Sequence, residues 1–181
     1  MSESGSGSGR LLVVIRHAKA EPFAAEDHLR ALTDRGRRDA VEAGLWLAAQ
    51  GIEPDYAFVS SAARTVGTWE SLADAFQSVA EVLIDDSLYV ASPEPALETL
   101  RTAPADAKVV VFVGHNPTAA YIAHMLDDGN PDEGAFRAMS EGYPTAAMTV
   151  LEVQVPWADL DVGTARITGF HVGHGVAPTS S

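Results

Sequence analysis

Two histidines follow apolar runs of strand length, and both could take part in phosphate chemistry. Arg16 and His17 come directly after residues 11–15, and His115 follows residues 109–113 after a single glycine. Runs this short and this rich in β-branched residues are typical of buried parallel strands. Ligands of open α/β sheets bind beyond the carboxyl ends of the strands, so we expect both imidazoles at one edge of a sheet.

A third strand end adds a second arginine. Residues 56–59 form the predicted strand, and Ser60 and Ser61 lead into a helix with Arg64 in its first turn, while Asn116 opens another helix. If these strands are neighbours, two guanidinium groups, two imidazoles and free backbone N–H groups converge on one point. Guanidinium forks and helix N-termini both favour phosphate oxygens, so this point suits a phosphoryl group.

The residue types suggest covalent catalysis without a cofactor. A neutral imidazole nitrogen can attack phosphorus and form phosphohistidine, and surrounding cations help to keep it neutral. A second, protonated imidazole would stabilise the charge on the phosphoryl oxygens. The sequence shows no carboxylate cluster that marks a metal site, so we expect no metal and assign charge stabilisation to the arginines.

The elements that must position these residues alternate between strands and helices, which predicts a mostly parallel sheet in a three-layer α/β/α sandwich. Only residues 156–163 join the last two strands, so these should form an antiparallel C-terminal pair. We expect a single domain at 10–175, between disordered tails at 1–9 and 176–181. The predicted strands are 11–15, 56–59, 81–84, 108–113, 146–153 and 164–170, and the predicted helices are 33–50, 60–77, 93–100 and 116–126. Thr33 is the predicted N-cap of the first helix, and residues 127–134 are predicted to form a loop.

Composition narrows the choice of partners. The 181 residues are 46% hydrophobic, contain no cysteine and carry a net charge of −13. This charge argues against nucleic acid and anionic membranes, which require a positive surface. No apolar stretch approaches the ~18 residues of a membrane span. We therefore expect a soluble, cytoplasmic protein.

Several short motifs, in this order along the chain, resemble those of the histidine phosphatase superfamily, also called phosphoglycerate mutase-like. Ala18 in place of the superfamily's usual glycine, with Lys19 after it, is most similar to the SixA-type branch of phosphohistidine phosphatases, although Ala31 replaces the usual proline of that branch. The resemblance implies a phosphoglycerate mutase-like fold. The motifs are RHAK at 16–19, DHLRALTDRG at 27–36, SSAART at 60–65, GHNP at 114–117 and YPTAA at 143–147.

The resemblance also implies roles for individual residues. His17 would be the nucleophile, and Arg16, Arg64 and His115 would form the phosphate pocket. Further candidates for phosphate or substrate contacts are Asn116, Lys19 and Arg30. Two alternatives stay open: that Lys19 lies outside the site, and that Arg30 is a solvated residue of a loop.

The proton donor of the superfamily is usually an acid in the loop after the third strand. Asp86 lies in that loop and is the candidate, with Asp85 and Glu21 as alternatives. An imidazole leaving group and an alkyl alcohol differ in the demand that they place on such a donor.

The predicted function is therefore a metal-independent phosphatase that acts through phosphohistidine, on phosphohistidine of another protein. Short loops between the motifs favour an open site that admits a protein side chain. One alternative is a phosphatase or mutase for a small phosphate ester, which would use the same catalytic residues. Another is a phosphoprotein-binding module without turnover, but binding alone needs arginines and no nucleophile.

The remaining histidines have simpler interpretations. His28 and His124 are expected to be ordinary surface or core residues. His171 and His174 have a spacing that metal ligands can adopt, but no other ligand is near in sequence. We interpret them as a strand end and tail.

Overall fold

A computed structural model describes residues 9–177 of the chain, so most of both predicted tails, at 1–8 and 178–181, lies outside the described residues. Six strands form one sheet, and five α-helices connect them. The strands are β1 (Arg10–Arg16), β2 (Tyr56–Ser60), β3 (Glu81–Asp85), β4 (Val109–Gly114), β5 (Ala147–Val153) and β6 (Ala165–Val172). The helices are α1 (Asp34–Ala49), α2 (Ala63–Ala73), α3 (Pro93–Leu100), α4 (Thr118–Leu126) and α5 (Glu133–Glu141).

The strand order is β3-β2-β4-β1-β5-β6. The first four strands in this order are parallel, whereas β5 is antiparallel to β1 and β6 is antiparallel to β5. The predicted fold class, mostly parallel with an antiparallel C-terminal pair, is confirmed. The order places β1, β4 and β2 side by side, so their carboxyl ends meet at one edge.

Helices cover both faces of the sheet because the central strands are apolar on both sides. Val13 and Ile15 of β1 pack with residues of α1 and α2, whereas Leu12 and Val14 pack with residues of α3, α4 and α5. These four side chains are fully buried. Removing them from water on both faces stabilises the three layers, at about 25 cal/mol per Å² of apolar surface.

The start of α1 is built as predicted. Thr33 is its N-cap and accepts a hydrogen bond from the Gly36 backbone N–H at 3.0 Å. The same Thr33 donates from its backbone N–H to the Lys19 carbonyl oxygen at 2.9 Å, and from its hydroxyl to that oxygen at 3.2 Å. The helix is thereby fixed to the segment that follows His17.

The second helix is shorter than the predicted 60–77. It begins at Ala63 because Ser60 is the last residue of β2, and Ser60 uses its hydroxyl elsewhere. Its end at Ala73 is followed by tight turns, in which the Ala75 and Phe76 N–H groups bond to carbonyls three residues earlier. These bonds tighten the chain and stop the α-helical repeat.

The helix α5 was not predicted, and a loop was expected over its first residues. Asp132 caps it by accepting from the Ala135 N–H at 2.8 Å, and Ala135 and Met139 are buried against the sheet. The prediction failed because the segment exposes most of its side chains, so its apolar pattern is sparse. Two further loops each contain a 3₁₀ turn, at Asp27–Leu29 and Asp86–Tyr89.

The C-terminal histidines belong to the packing of β6 against α1. The His171 ring stacks on Trp46 with 4.6 Å between the centroids, and its Nε2 lies 2.9 Å from a Glu42 carboxylate oxygen. Within residues 9–177 no group of three or more His, Asp or Glu side chains could hold a metal ion. Over the same residues, none of the helices has the length and apolar character needed to cross a bilayer.

Candidate active site

The two strand ends predicted to carry histidines are adjacent. Arg16 of β1 pairs with Gly114 of β4, and the His17 N–H donates to the Gly114 carbonyl oxygen at 3.0 Å. The His17 and His115 rings lie 5.4 Å apart between centroids. A Cβ at Gly114 would lie 2.6 Å from the Phe112 ring, which explains why glycine precedes His115.

The ring of His17 has one nitrogen fixed and one nitrogen available. Its Nδ1 lies 2.8 Å from the Ala18 carbonyl oxygen, which can only accept, so Nδ1 carries the hydrogen. Burial, followed by the positive charges of Arg64 and Arg16, lowers the pKa of His17 to about 4. At neutral pH the ring is therefore neutral, with the Nε2 lone pair free. The sequence argument named only the cations, but burial is the larger cause.

The small side chain of Ala18 is accommodated in the core beside His17. Ala18 is fully buried with Leu32, Ala40 and Ala146, and its N–H donates to Thr68 Oγ1 at 2.9 Å. The segment that carries His17 is thus held on both sides.

Both arginines of the site are anchored at their terminal nitrogens. Arg16 donates from Nη1 to the Tyr143 carbonyl oxygen at 3.0 Å, and Arg64 donates from Nη1 to the Asp27 carbonyl oxygen at 2.9 Å. The Nε atoms of both are buried and have no hydrogen-bond partner. Burial also lowers the pKa of Arg16. Buried donors without acceptors are rare, and two beside a histidine fit an anion such as a phosphoryl group.

The second histidine is neutral in this structure. Its Nε2 lies 2.8 Å from Ser60 Oγ, and burial, followed by the charges of Arg64 and His17, lowers the pKa of His115 to about 3. The sequence argument gave His115 a protonated role. The protonated form requires a compensating negative charge beside the ring, and a bound phosphoryl group would supply one.

One carboxylate of the site was missed as a functional residue. Asp27 accepts from Arg30 Nε at 2.9 Å, from Arg64 Nη2 at 3.1 Å and from the Tyr89 hydroxyl. The hydrogen bond from Tyr89, followed by that from Arg30, holds the pKa of Asp27 well below its usual range, and Asp27 in turn raises the pKa of Tyr89. The motif at 27–36 contained this residue three positions before Arg30, which was the available signal.

The loop after β3 reaches the site through Tyr89. The Tyr89 ring lies edge-on to His115, 5.7 Å between centroids, and edge-on to His28, 5.0 Å between centroids. His28 Nε2 also lies 2.9 Å from Ser61 Oγ. His28 is therefore part of the wall of the site. The sequence predicts an ordinary surface or core residue and does not predict this position.

The other candidates occupy different positions. Asn116 donates from Nδ2 to the Tyr143 carbonyl oxygen at 2.9 Å, so its amide braces the carbonyl that also anchors Arg16. Arg30 is tied to Asp27 and to the Glu21 carbonyl oxygen. The Lys19 side chain is exposed and makes no hydrogen bond or ion pair within the described chain.

The candidate proton donors lie at the rim. Asp86 begins the 3₁₀ turn, is exposed and has no hydrogen-bond or ion-pair partner among residues 9–177. Asp85 accepts from the Ser87 N–H at 2.8 Å, and Glu21 is exposed. The structure thus brings Arg16, His17, Arg64 and His115 together and leaves these three carboxylates without a contact to the two histidines.

Known proteins resemble this chain in sequence and in fold. An uncharacterized protein of Mycobacterium tuberculosis is 34% identical over 166 residues, which are 87% of this chain and 99% of the relative. No profile of a known protein family matches the chain.

Two solved structures are similar to this chain in both fold and amino-acid sequence. A protein assigned as the phosphohistidine phosphatase SixA of Nakamurella multipartitia is 33% identical, with a TM-score of 0.80 over 93% of this chain and 97% of its own. A protein with the same assignment from Agrobacterium tumefaciens is 27% identical, with a TM-score of 0.72 over 93% and 98%. The chain belongs to the histidine phosphatase superfamily, in its SixA branch, and is an enzyme of that superfamily.

Proposed function

We propose that the protein is a phosphatase that transfers a phosphoryl group from its substrate to His17 and then to water. The observation that supports this most strongly is the His17 ring, whose Nδ1–H is fixed on the Ala18 carbonyl and whose Nε2 is free. A nucleophile must present a lone pair, and the lowered pKa of His17 keeps that lone pair available.

In the first step, Nε2 of His17 forms a bond to phosphorus as the bond from phosphorus to the leaving group breaks. The unpartnered Nε–H groups of Arg16 and Arg64 supply donors for the phosphoryl oxygens, and positioned cations stabilise the charge in transfer. In the second step, water attacks phosphorus, the bond to Nε2 breaks and inorganic phosphate leaves. The charge stabilisation in this account comes from arginine, without a metal ion.

The proposed substrate is phosphohistidine on another protein. The two SixA-type structures support it, because both are assigned as phosphohistidine phosphatases. The longer segment between β1 and α1 is fixed to Arg64 through Asp27. The other two segments that border the site are short: three residues separate β4 from α4, and a 3₁₀ turn with a few residues separates β3 from α3. Neither is long enough to form a lid over a small metabolite.

A cytoplasmic location is part of the same proposal. It is tested by fractionating cells that produce the protein without a fusion tag. Recovery in the membrane or secreted fraction would contradict it.

The substrate proposal is tested by comparing two phosphorylated compounds at equal concentration. A peptide with one phosphohistidine should release phosphate with a kcat/KM higher than that of a peptide with one phosphoserine. Matched peptides of the same sequence around the phosphorylated residue isolate the chemistry of the leaving group. A preference for phosphoserine, or for a sugar phosphate in the same assay, would replace phosphohistidine by an ester as the substrate.

A further inference from the structure

The outer edge of β3 is an exposed and apolar edge of the sheet. β3 is the first strand in the sheet order, and no strand of the described residues pairs with its outer side. Its partner on the inner side is β2, in parallel register from Tyr56 beside Glu81 to Ser60 beside Asp85. A sheet edge of this kind presents unpaired N–H and C=O groups, to which another chain can add a strand.

The backbone geometry shows which groups face outward. The Glu81 N–H donates inward, to the Asp55 carbonyl oxygen at 3.0 Å. Alternate residues of a strand direct their backbone groups to opposite sides, so Val82 and Ile84 turn their N–H and C=O groups outward. These four groups are sufficient to hold a short added strand.

The side chains of this edge are unusually apolar for an exposed strand. Val82, Leu83 and Ile84 are 37%, 40% and 54% exposed, and Val90, just after Tyr89, is 81% exposed. We call these four residues the edge surface. Exposed edge strands usually carry lysine or proline that prevents pairing with other chains, and β3 has neither.

The charges beside the edge surface restrict what can cover it. Glu81 and Asp85 are the ends of β3, and Asp86 follows. A second copy could pair with this edge in the antiparallel direction, with Leu83 of one copy opposite Leu83 of the other. Glu81 of each copy would then lie opposite Asp85 of the other. Like charges directly opposite destabilise a strand pair, so this edge disfavours its own copy. A strand with apolar residues between two cations would instead meet opposite charges at both ends.

We propose that the edge surface docks the phosphoprotein substrate, by accepting an extended segment in which lysine or arginine brackets apolar residues. This inference rests on the proposed function and adds to it where the protein substrate binds. The segment pairs with the backbone of Val82 and Ile84, and its cations lie beside Glu81 and Asp85.

The docked segment lies within reach of His17. From a strand added outside β3, the sheet order runs through β3, β2 and β4 to β1, which is about 19 Å at the usual strand spacing. Roughly six extended residues cover this distance. Tyr89 is in the turn directly after β3 and its ring lies edge-on to His115, so the connecting residues would pass an aromatic side chain.

The test uses two synthetic peptides that differ only in the two charged residues on either side of the apolar segment. Both carry one phosphohistidine, six glycine and serine residues, and then Lys-Val-Leu-Val-Lys or Glu-Val-Leu-Val-Glu. The opposite order of segments is made as well, so that either strand direction can pair. We expect kcat/KM to be roughly tenfold higher for the lysine peptide than for the glutamate peptide. The double variant Leu83→Thr with Ile84→Thr should remove most of this difference, and Glu81→Lys should reduce or invert it.

Two controls show whether the effect is local. Hydrolysis of p-nitrophenyl phosphate, which has no docking segment, should be unchanged in these variants. Val162→Thr alters another exposed valine, 66% exposed and in the turn before β6, and should leave both peptides unaffected. Equal rates for the two peptides, or equal loss with p-nitrophenyl phosphate, would overturn the docking surface.

Binding of the unphosphorylated peptides separates this inference from the proposed function. In fluorescence anisotropy, the lysine peptide should bind the wild type and bind the double variant at least fivefold more weakly. This result would uphold docking even if neither phosphohistidine peptide were hydrolysed, an outcome that would instead reject the proposed substrate. A dimer in sedimentation that is lost on Leu83→Thr would assign the edge to a second copy and overturn the proposal.

Discussion

Each arginine of the site is anchored to the protein through a terminal nitrogen, and its Nε is left without an acceptor. The anchors of Arg16 and Arg64 are carbonyl oxygens of Tyr143 and Asp27, which lie in loops far apart in sequence. Anchoring fixes the guanidinium planes before a ligand arrives, so little side-chain freedom remains to be lost on binding. The site therefore offers a fixed Nε–H donor from each of two oriented guanidinium planes, an arrangement that a point charge cannot reproduce.

Replacing Arg64 with lysine tests this arrangement. Arg64→Lys keeps the positive charge but loses the planar donors and both bonds to Asp27, so kcat/KM for p-nitrophenyl phosphate should fall roughly 10²-fold. The matched control is Arg37→Lys on the exposed first turn of α1, which should retain wild-type activity. Equal effects at the two positions would show that Arg64 contributes charge alone.

The histidine pKa values give a second test at this scale. Imidazole signals in NMR should titrate at about pH 4 for His17 and about pH 3 for His115, against about 6.5 for an unperturbed histidine. Inorganic phosphate should raise the midpoint of His115, because a neighbouring anion favours the charged ring. Midpoints near 6.5 without phosphate would contradict the buried, neutral site.

The same pKa values set a direction for stability. Between about pH 4 and pH 6.5 the unfolded chain binds a proton at His17 that the folded chain does not. The free energy of unfolding should therefore decrease as the pH falls through this window.

Three of the site residues that the sequence pattern brought together lie at or just after the end of an apolar strand. Arg16, His17 and His115 could be placed together because parallel strands share one carboxyl edge. Asp27 and Tyr89 could not, because they meet across two loops whose relative position depends on the whole fold. The protonation of His115 also depends on burial, which the sequence does not show.

At the scale of elements, one close contact fixes the segment beside the nucleophile. Helix α1 approaches so closely that a Cβ at Gly36 would lie 2.1 Å from the Lys19 carbonyl oxygen, a backbone atom. Only glycine leaves room for this contact between α1 and the Lys19 backbone. The two Thr33 hydrogen bonds to the same oxygen also hold α1 against this segment.

Gly36→Ala should consequently destabilise the protein. Forcing the backbone apart costs typically about 1–3 kcal/mol of the free energy of unfolding, which urea denaturation measures. The matched control is Gly134→Ala in α5, where the added Cβ meets only an Asp132 carboxylate oxygen at 3.4 Å. This change should be neutral or mildly stabilising, since alanine favours helices. Equal stability of the two variants would mean that α1 can shift away from Lys19.

The loop after β3 carries the proposed proton donor. If Asp86 donates, Asp86→Asn should slow alkyl phosphates by ~10²-fold or more and leave p-nitrophenyl phosphate and phosphohistidine almost unchanged, because a good leaving group needs no donor. A series of leaving groups in steady-state kinetics measures this. Uniform slowing would indicate a positioning role, and no slowing would direct attention to Asp85 or Glu21.

The helices and strands differ in how well their bounds can be predicted from the sequence. Buried strands could be predicted because their apolar runs are continuous, and the Thr33 cap because its residue pattern is local. Helix α5 escaped prediction because only Ala135 and Met139 face the core. Helix α2 was predicted too long because its end is set by tertiary turns after Ala73.

The whole molecule combines an acidic exterior with a cationic pocket. The net charge is −13, yet both buried donors of the site belong to arginines. Such a charge distribution disfavours anionic partners at long range and admits a single anionic group at one place. It is compatible with a phosphorylated residue on a surface that is otherwise basic, which is the partner proposed for the edge surface.

The central claim is that His17 carries the phosphoryl group during turnover. It is tested most directly by intact mass spectrometry after brief mixing with phosphoramidate and a quench without acid, because phosphohistidine is lost in acid. The wild type and the His124→Ala control should each gain the mass of one phosphoryl group, and a folded His17→Ala variant should gain none. An equal gain in His17→Ala, or no gain in a wild type that turns over the same donor, would contradict the account.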